Sequence, residues 1–132
     1  MLLVCHFLPA DPAGFPARAG RAAALLSAQP GCQGVTVGRA VDEPAHWVLS
    51  AGFDSVTAYR RALGPFDVRE HVVPLLAEAL PVPGAVPATF EVMLAAAGGE
   101  LDVRGSLRTP AAGPAEGSGP SPRGSGAGRG GR

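Results

Sequence analysis

The stretch Trp47–His71, WVLSAGFDSVTAYRRALGPFDVREH, decides the fold. Together with His46, its first residues up to Phe53 make an apolar run of strand length, with aromatic residues at either end. Asp54 then stands where a helix cap belongs. Ser55–Leu63 follows with Val56, Tyr59 and Leu63 at helical spacing, which predicts an inner face. Gly64-Pro65 stops that helix, and Phe66–Val72 reads as a short helical or irregular segment. One strand, one capped helix and one broken turn thus lie in succession.

Upstream, Val35–Arg39 alternates as a strand does, and VDEPA (41–45) is a polar turn, so two strands make a hairpin. Leu2–Leu8 is apolar except for His6 and fits a strand buried on both faces. Asp11 and Pro12 supply a helix cap and a first-turn proline. Phe15, Ala19, Ala22 and Leu26 then fall on one helical face, with Arg18 and Arg21 off it. Gln29-Pro30-Gly31 ends this helix. Downstream, Pro74 opens a further helix over Leu75–Leu80, a proline-rich loop covers 81–87, and Ala88–Leu94 is the last strand.

Strand, helix, strand, strand, helix, strand is the ferredoxin-like order, an α+β sandwich with an antiparallel sheet and its helices on one face. The first strand is apolar in both phases: Leu2, Val4 and Leu8 in one, Leu3, Cys5 and Phe7 in the other. Both faces of the sheet call for burial, and two copies pressed sheet to sheet would provide it. A homodimer forming a dimeric α/β barrel is the expectation.

The folding unit expected is residues 1–94. From Ala95 the composition turns to Gly, Pro, Ala, Ser and Arg, with 11 of the 19 glycines and no large apolar side chain after Leu107. Such a segment buries too little surface to offset its conformational entropy, so 95–132 reads as a disordered tail. Glu100–Leu107 is the part of it that would dock as an extra strand if any does. Eleven Arg balance eleven acids, with no Lys. The body carries six Arg against eight acids and the tail five against three. Those imbalances are too small for a nucleic-acid footprint.

Cys5 and Cys32 stand at no metal-ligand spacing, and Cys5 reads as a small buried hydrophobe. The apolar start MLLVCHFL is short and lacks a basic flank, and no run reaches the length of a spanning helix. The expectation is a cytoplasmic protein acting on neither membrane nor nucleic acid. No catalytic triad, phosphate loop or zinc pattern is present.

Over residues 2–94 the chain resembles the antibiotic biosynthesis monooxygenase family of small dimeric α/β-barrel proteins. The likeness rests on the element order and on AQPG (Ala28–Gly31) at the helix end. It rests also on WVLSAGFDSVTAYRRAL (Trp47–Leu63) and FDVREHVVPLLAEAL (Phe66–Leu80). The resemblance implies oxygenation of aromatic polyketide phenols without metal or flavin. The deprotonated substrate itself gives an electron to oxygen, and the protein supplies a dry pocket and positioning. The haem-degrading branch of the same barrels uses a His, to which His71 corresponds. Its Asn and Trp have no counterpart near Cys5–Phe7 or Ala62.

His71 is the candidate catalytic base, since it follows a helix break and a neutral imidazole there would accept a phenol proton. Tyr59, Trp47 and His6 are the candidate substrate-binding residues: a phenol on an inner helix face, an aromatic wall for a planar substrate, and an imidazole within an apolar strand. Each has a plainer reading. His71 would pack or cap a loop, His6 would be a satisfied core or interface histidine, Tyr59 would be core, and Trp47 would pack the dimer seam. His46 and Arg39 read as exposed. The leading function is a cofactor-independent monooxygenase of a small aromatic or polyketide-like phenol. The alternatives are a non-catalytic dimeric barrel binding a small apolar ligand or protein partner, and haem binding through His71.

Overall fold

The computed structural model describes residues 1–80 and 88–104. It divides into two compact units, Met1–Phe90 and the chain from Glu91 onward. In the first unit the elements run β1 (Leu2–Phe7), α1 (Phe15–Ser27), β2 (Cys32–Arg39), β3 (Trp47–Phe53), α2 (Val56–Ala62), α3 (Phe66–His71), α4 (Val73–Leu76) and β4 (Thr89–Phe90). The strands form one sheet in the order β2-β3-β1-β4, every neighbouring pair antiparallel. This is the ferredoxin-like α+β arrangement that the element order implies.

Register sorts the side chains. Leu3, Cys5 and Phe7 of β1 stand opposite Ala51, Leu49 and Trp47 of β3. These β3 residues in turn oppose Val35, Val37 and Arg39 of β2. Because strand side chains alternate, all of these share one face. That face meets the buried stripe of α1, which is Phe15, Ala19, Ala22 and Leu26, as the helical spacing predicts. Ala62, Val68, Val72 and Leu75 complete the core from α2, α3, α4 and the joint between the last two. Fully buried Phe7, Phe15, Phe53, Leu3, Leu26 and Leu49 each contribute about 1.5–3 kcal/mol of burial.

The opposite face carries Leu2, Val4 and His6 of β1, Val48, Ser50 and Gly52 of β3, and Phe90 of β4. Leu2 and Phe90 are 39% and 40% exposed. The double apolar phase of β1 is therefore real, with only one of its two faces covered within the described chain.

Several local expectations are corrected. Gly14, not Asp11, precedes α1, and Asp11 instead accepts a hydrogen bond from the Gly14 N–H at 3.2 Å in the turn before it. Pro16 falls in the first helical turn, where its missing N–H costs nothing. Ser55, not Asp54, caps α2, its hydroxyl accepting from the Ala58 N–H at 3.0 Å. Asp54 accepts from the Gln33 side chain. Val56 points outward, 44% exposed, and the inner face is Ala58, Tyr59, Ala62 and Leu63. The helix placed over Leu75–Leu80 is a single turn, Val73–Leu76, with Pro74 in its first turn. The last strand, expected over Ala88–Leu94, has only Thr89–Phe90 in register with β1, with the Ala88 carbonyl accepting from the Val4 N–H, and Leu94 belongs to a separate hairpin.

In the second unit, β5 (Leu94–Ala97) and β6 (Glu100–Val103) form an antiparallel hairpin. Gly98 and Gly99 make its two-residue turn, with φ of 60° and 83°. Positive φ at both central positions is what a type I′ hairpin requires and what glycine alone adopts freely. The hairpin carries strand structure past residue 94, and its second strand falls within Glu100–Leu107, the part of that stretch expected to pair if any did. The loop placed over 81–87 and the remaining tail from 105 lie outside the described residues. Among the described residues no helix is long and apolar enough to cross a membrane.

Candidate functional site

The four nominated side chains fall in four separate places. Trp47 opens β3 on the helix-covered face, half-buried, with its ring centroid 5.4 Å from that of Phe15. The guanidinium of Arg39, exposed at its strand end, lies 5.6 Å above the indole centroid, within cation–π range. Tyr59 sits on the same layer at the far end of β3, edge-on to Phe53. Six residues of strand separate Trp47 from Phe53, about 20 Å, so the indole and the phenol do not share one wall.

Burial pushes the Tyr59 hydroxyl above its ordinary pKa, and the neighbouring Cys5 adds to the shift. Cys5 itself is pushed up by burial. Both sulfhydryls of the chain are free, Cys5 buried and Cys32 half-buried. This end of the interior therefore holds two protonated, weakly acidic groups.

His71 ends α3 between buried Val68 and buried Val72. Its side chain is 34% exposed, and Nε2 lies 3.5 Å from the Glu70 carboxylate.

His6 stands apart from the other three, because the strand phase sends it to the opposite face of the sheet. There its Nδ1 lies 2.9 Å from Nε2 of His46. The rings meet edge-on, at 75° with centroids 5.1 Å apart. His46, expected to be exposed, is half-buried in this pair. It lies two residues before Val48, the cross-strand neighbour of His6, so it occupies the diagonal position that long side chains reach. That pairing follows from register, which the linear sequence does not display.

A half-open cleft of about 400 Å³ lies between the turn that follows α1 and helix α2, lined by Gln29, Pro30, Gly31, Ala58, Arg61 and Ala62. Arg61 is its one charged wall, and none of the nominated side chains lines it. Among the described residues no buried side chain is polar or charged, and no cluster of three metal-ligating side chains occurs.

The chain matches no protein-family model, and no curated protein matches it. Among solved structures it is similar to a point variant of SnoaB, a cofactor-independent oxygenase from Streptomyces nogalater. The two are 30% identical with a TM-score of 0.53, over 60% of this chain and 82% of that one. A second SnoaB structure agrees at 28% identity and a TM-score of 0.52, over 60% and 81%. A Nitrosomonas europaea protein named for the antibiotic biosynthesis monooxygenases shares the fold at 10% identity and a TM-score of 0.51, over 59% and 84%. With its ferredoxin-like sheet, its helices on one face and this likeness, the chain belongs to the antibiotic biosynthesis monooxygenase family.

Proposed function

We propose that this protein is a cofactor-independent monooxygenase that oxidises a small aromatic or polyketide-like phenol with O2. The observation that carries the reading is the 30% identity to SnoaB, a cofactor-independent oxygenase, across 82% of its chain. The deprotonated substrate is the reductant: it gives an electron to O2, and the two radicals combine at a ring carbon. One oxygen atom ends as a carbonyl and the other leaves as water. The protein's share is to take the substrate proton, hold the ring and exclude water.

His71 is the base in this reading, because imidazole is the side chain whose ordinary range lies near neutral pH, and its side chain is partly open to solvent at the end of α3. Tyr59 or Trp47 contributes aromatic surface, the two standing at opposite ends of β3 and too far apart to hold one small ring together. His6 acts from the other face of the sheet, where a second copy would meet it. The protein works as a homodimer, sheet against sheet. The partly exposed Leu2, Val4, Val48 and Phe90 support that assembly, since an apolar sheet face is stable only when covered.

A second reading is a non-catalytic barrel that binds a small apolar ligand. The absence of any buried polar side chain among the described residues favours it, because a phenol site is ordinarily marked by a few convergent polar groups. Oxygen uptake with anthrone- and naphthol-type phenols, beside His71→Ala and boiled protein, separates the two. Uptake above the spontaneous rate that falls at least a hundredfold in the variant supports the oxygenase with His71 as base. Uptake unchanged by the substitution moves the base elsewhere. Ligand binding without uptake supports the second reading.

A further inference from the structure

We propose that His6 and His46 form a binding site for a tetragonal divalent transition-metal ion, Cu2+ in the first instance, on the sheet face away from the helices. The oxygenase reading needs no metal, but it shares His6 and this sheet face, so in the proposed homodimer the ion would lie within the seam between copies. Two ring nitrogens converge there: His6 Nδ1 and His46 Nε2 are 2.9 Å apart. At that distance they share a single proton, which a metal ion would displace.

The separation is compatible with cis coordination. With metal–nitrogen bonds of about 2.0–2.1 Å, nitrogens 2.9 Å apart subtend about 90° at the metal. That is the cis angle of a square-planar or tetragonal ion, the arrangement Cu2+ and Ni2+ prefer with nitrogen and oxygen ligands. A tetrahedral ion such as Zn2+ would need the nitrogens about 3.3–3.4 Å apart. In the hydrogen-bonded pair the two nitrogens face each other, with the rings 75° from coplanar, so each ring turns by about 45° to aim its lone pair at an ion about 2.0–2.1 Å from both.

The backbone holds both residues in place. The His46 carbonyl accepts from the Ala40 N–H at 2.8 Å, and the His46 N–H donates to the Glu43 carbonyl at 2.9 Å, closing the β2–β3 hairpin. The His6 carbonyl accepts from the Leu80 N–H at 2.7 Å. Ligands mounted on a paired strand and a closed hairpin lose little freedom on binding. The two imidazoles take cis equatorial positions, and the remaining positions are left to water or a small exogenous ligand. The third histidine, His71, lies in the helical layer and takes no part.

The test is Cu2+ titration of the untagged full-length protein, followed by electron spin-echo spectroscopy, which counts the imidazoles bound to the ion. One ion per chain with two equatorial imidazoles is expected, with affinity at least tenfold weaker in His6→Ala and in His46→Ala and unchanged in His71→Ala. His46→Gln keeps a hydrogen-bonding partner for His6 but supplies a poor copper ligand. It should fold as the parent does and still lose one imidazole from the echo. A signal showing one imidazole or none in the parent protein would overturn the site, as would affinity unaffected by both His6→Ala and His46→Gln.

Discussion

Tyr59 stands edge-on to Phe53, ring centroids 5.3 Å apart at 65°, on an inner helix face beside the buried thiol of Cys5. Burial raises the pKa of both acidic groups, and charge on Cys5 would raise that of Tyr59 further. Each therefore binds its proton more tightly folded than unfolded. The stability they contribute is full below the ordinary values of 9.0 for Cys5 and 10.0 for Tyr59, and is lost as pH rises through the folded values. Thermal stability should hold level up to about pH 8.5 and fall beyond it, the fall shallower in Tyr59→Phe. Tyr59 is the one tyrosine of the chain, so its phenolate absorbance can be titrated directly. A midpoint at or below that of free tyrosine would contradict the burial argument.

Gly31 follows α1 with φ of +85°, and a β-carbon placed on it would lie 2.8 Å from the Ala58 β-carbon on α2. Gly31→Ala combines a left-handed backbone with a clash between two elements. A loss of about 2–4 kcal/mol is expected in urea unfolding. A loss under about 1 kcal/mol would mean that α2 moves away at little cost.

Ser55→Ala removes the hydroxyl that accepts from the Ala58 N–H and should cost about 1 kcal/mol. Asp54→Ala should cost less, because its carboxylate meets only the exposed Gln33 side chain. The reverse ranking in denaturant melts would return the cap to Asp54.

Phe15 bridges Phe7 and Trp47, at 5.3 Å and 5.4 Å between centroids. Phe15→Ala should cost about 3–5 kcal/mol. The emission of Trp47, the one tryptophan in the chain, should shift to longer wavelength as water reaches the indole. Emission that stays put would show that Arg39 and β1 shield the ring unaided.

Val48 lies on the sheet face that carries Leu2, Val4 and Phe90. If a second copy covers this face, light scattering should give a dimer for the parent protein and a monomer for Val48→Asp, since an unpaired carboxylate in an apolar seam costs several kcal/mol. A parent monomer at micromolar concentration would remove the assembly from the proposed function.

The core of the fold was legible because burial writes itself into spacing. Phe15, Ala19, Ala22 and Leu26 fall on one helical face in any reading of the chain, and that face is the one buried. The caps were less legible. Asp54 and Ser55 are both good N-cap residues, and their order along the chain does not say which side chain turns back to the helix. Of the hairpin over Leu94–Val103, only the second strand falls in a stretch, Glu100–Leu107, that the sequence marks as able to pair; the first is mostly Ala, a residue with little strand preference. The hairpin's signal was the Gly98-Gly99 turn, a two-residue hairpin connection.

The candidate site divides in the same way. Residue types with useful chemistry, the three histidines, Tyr59 and Trp47, are visible in the chain itself. So are the order of its elements and the two apolar phases of β1. What they meet is a matter of register and of which face each strand turns inward. Tertiary structure alone parted His6 from Tyr59 by the thickness of the sheet, set Trp47 and Tyr59 at opposite ends of β3, and brought His6 within 2.9 Å of His46. Periodicity is a local property of the chain, imposed by each residue's own preference for core or water. Register is set by the pairing of strands distant in sequence, where a shift of one residue exchanges the two faces.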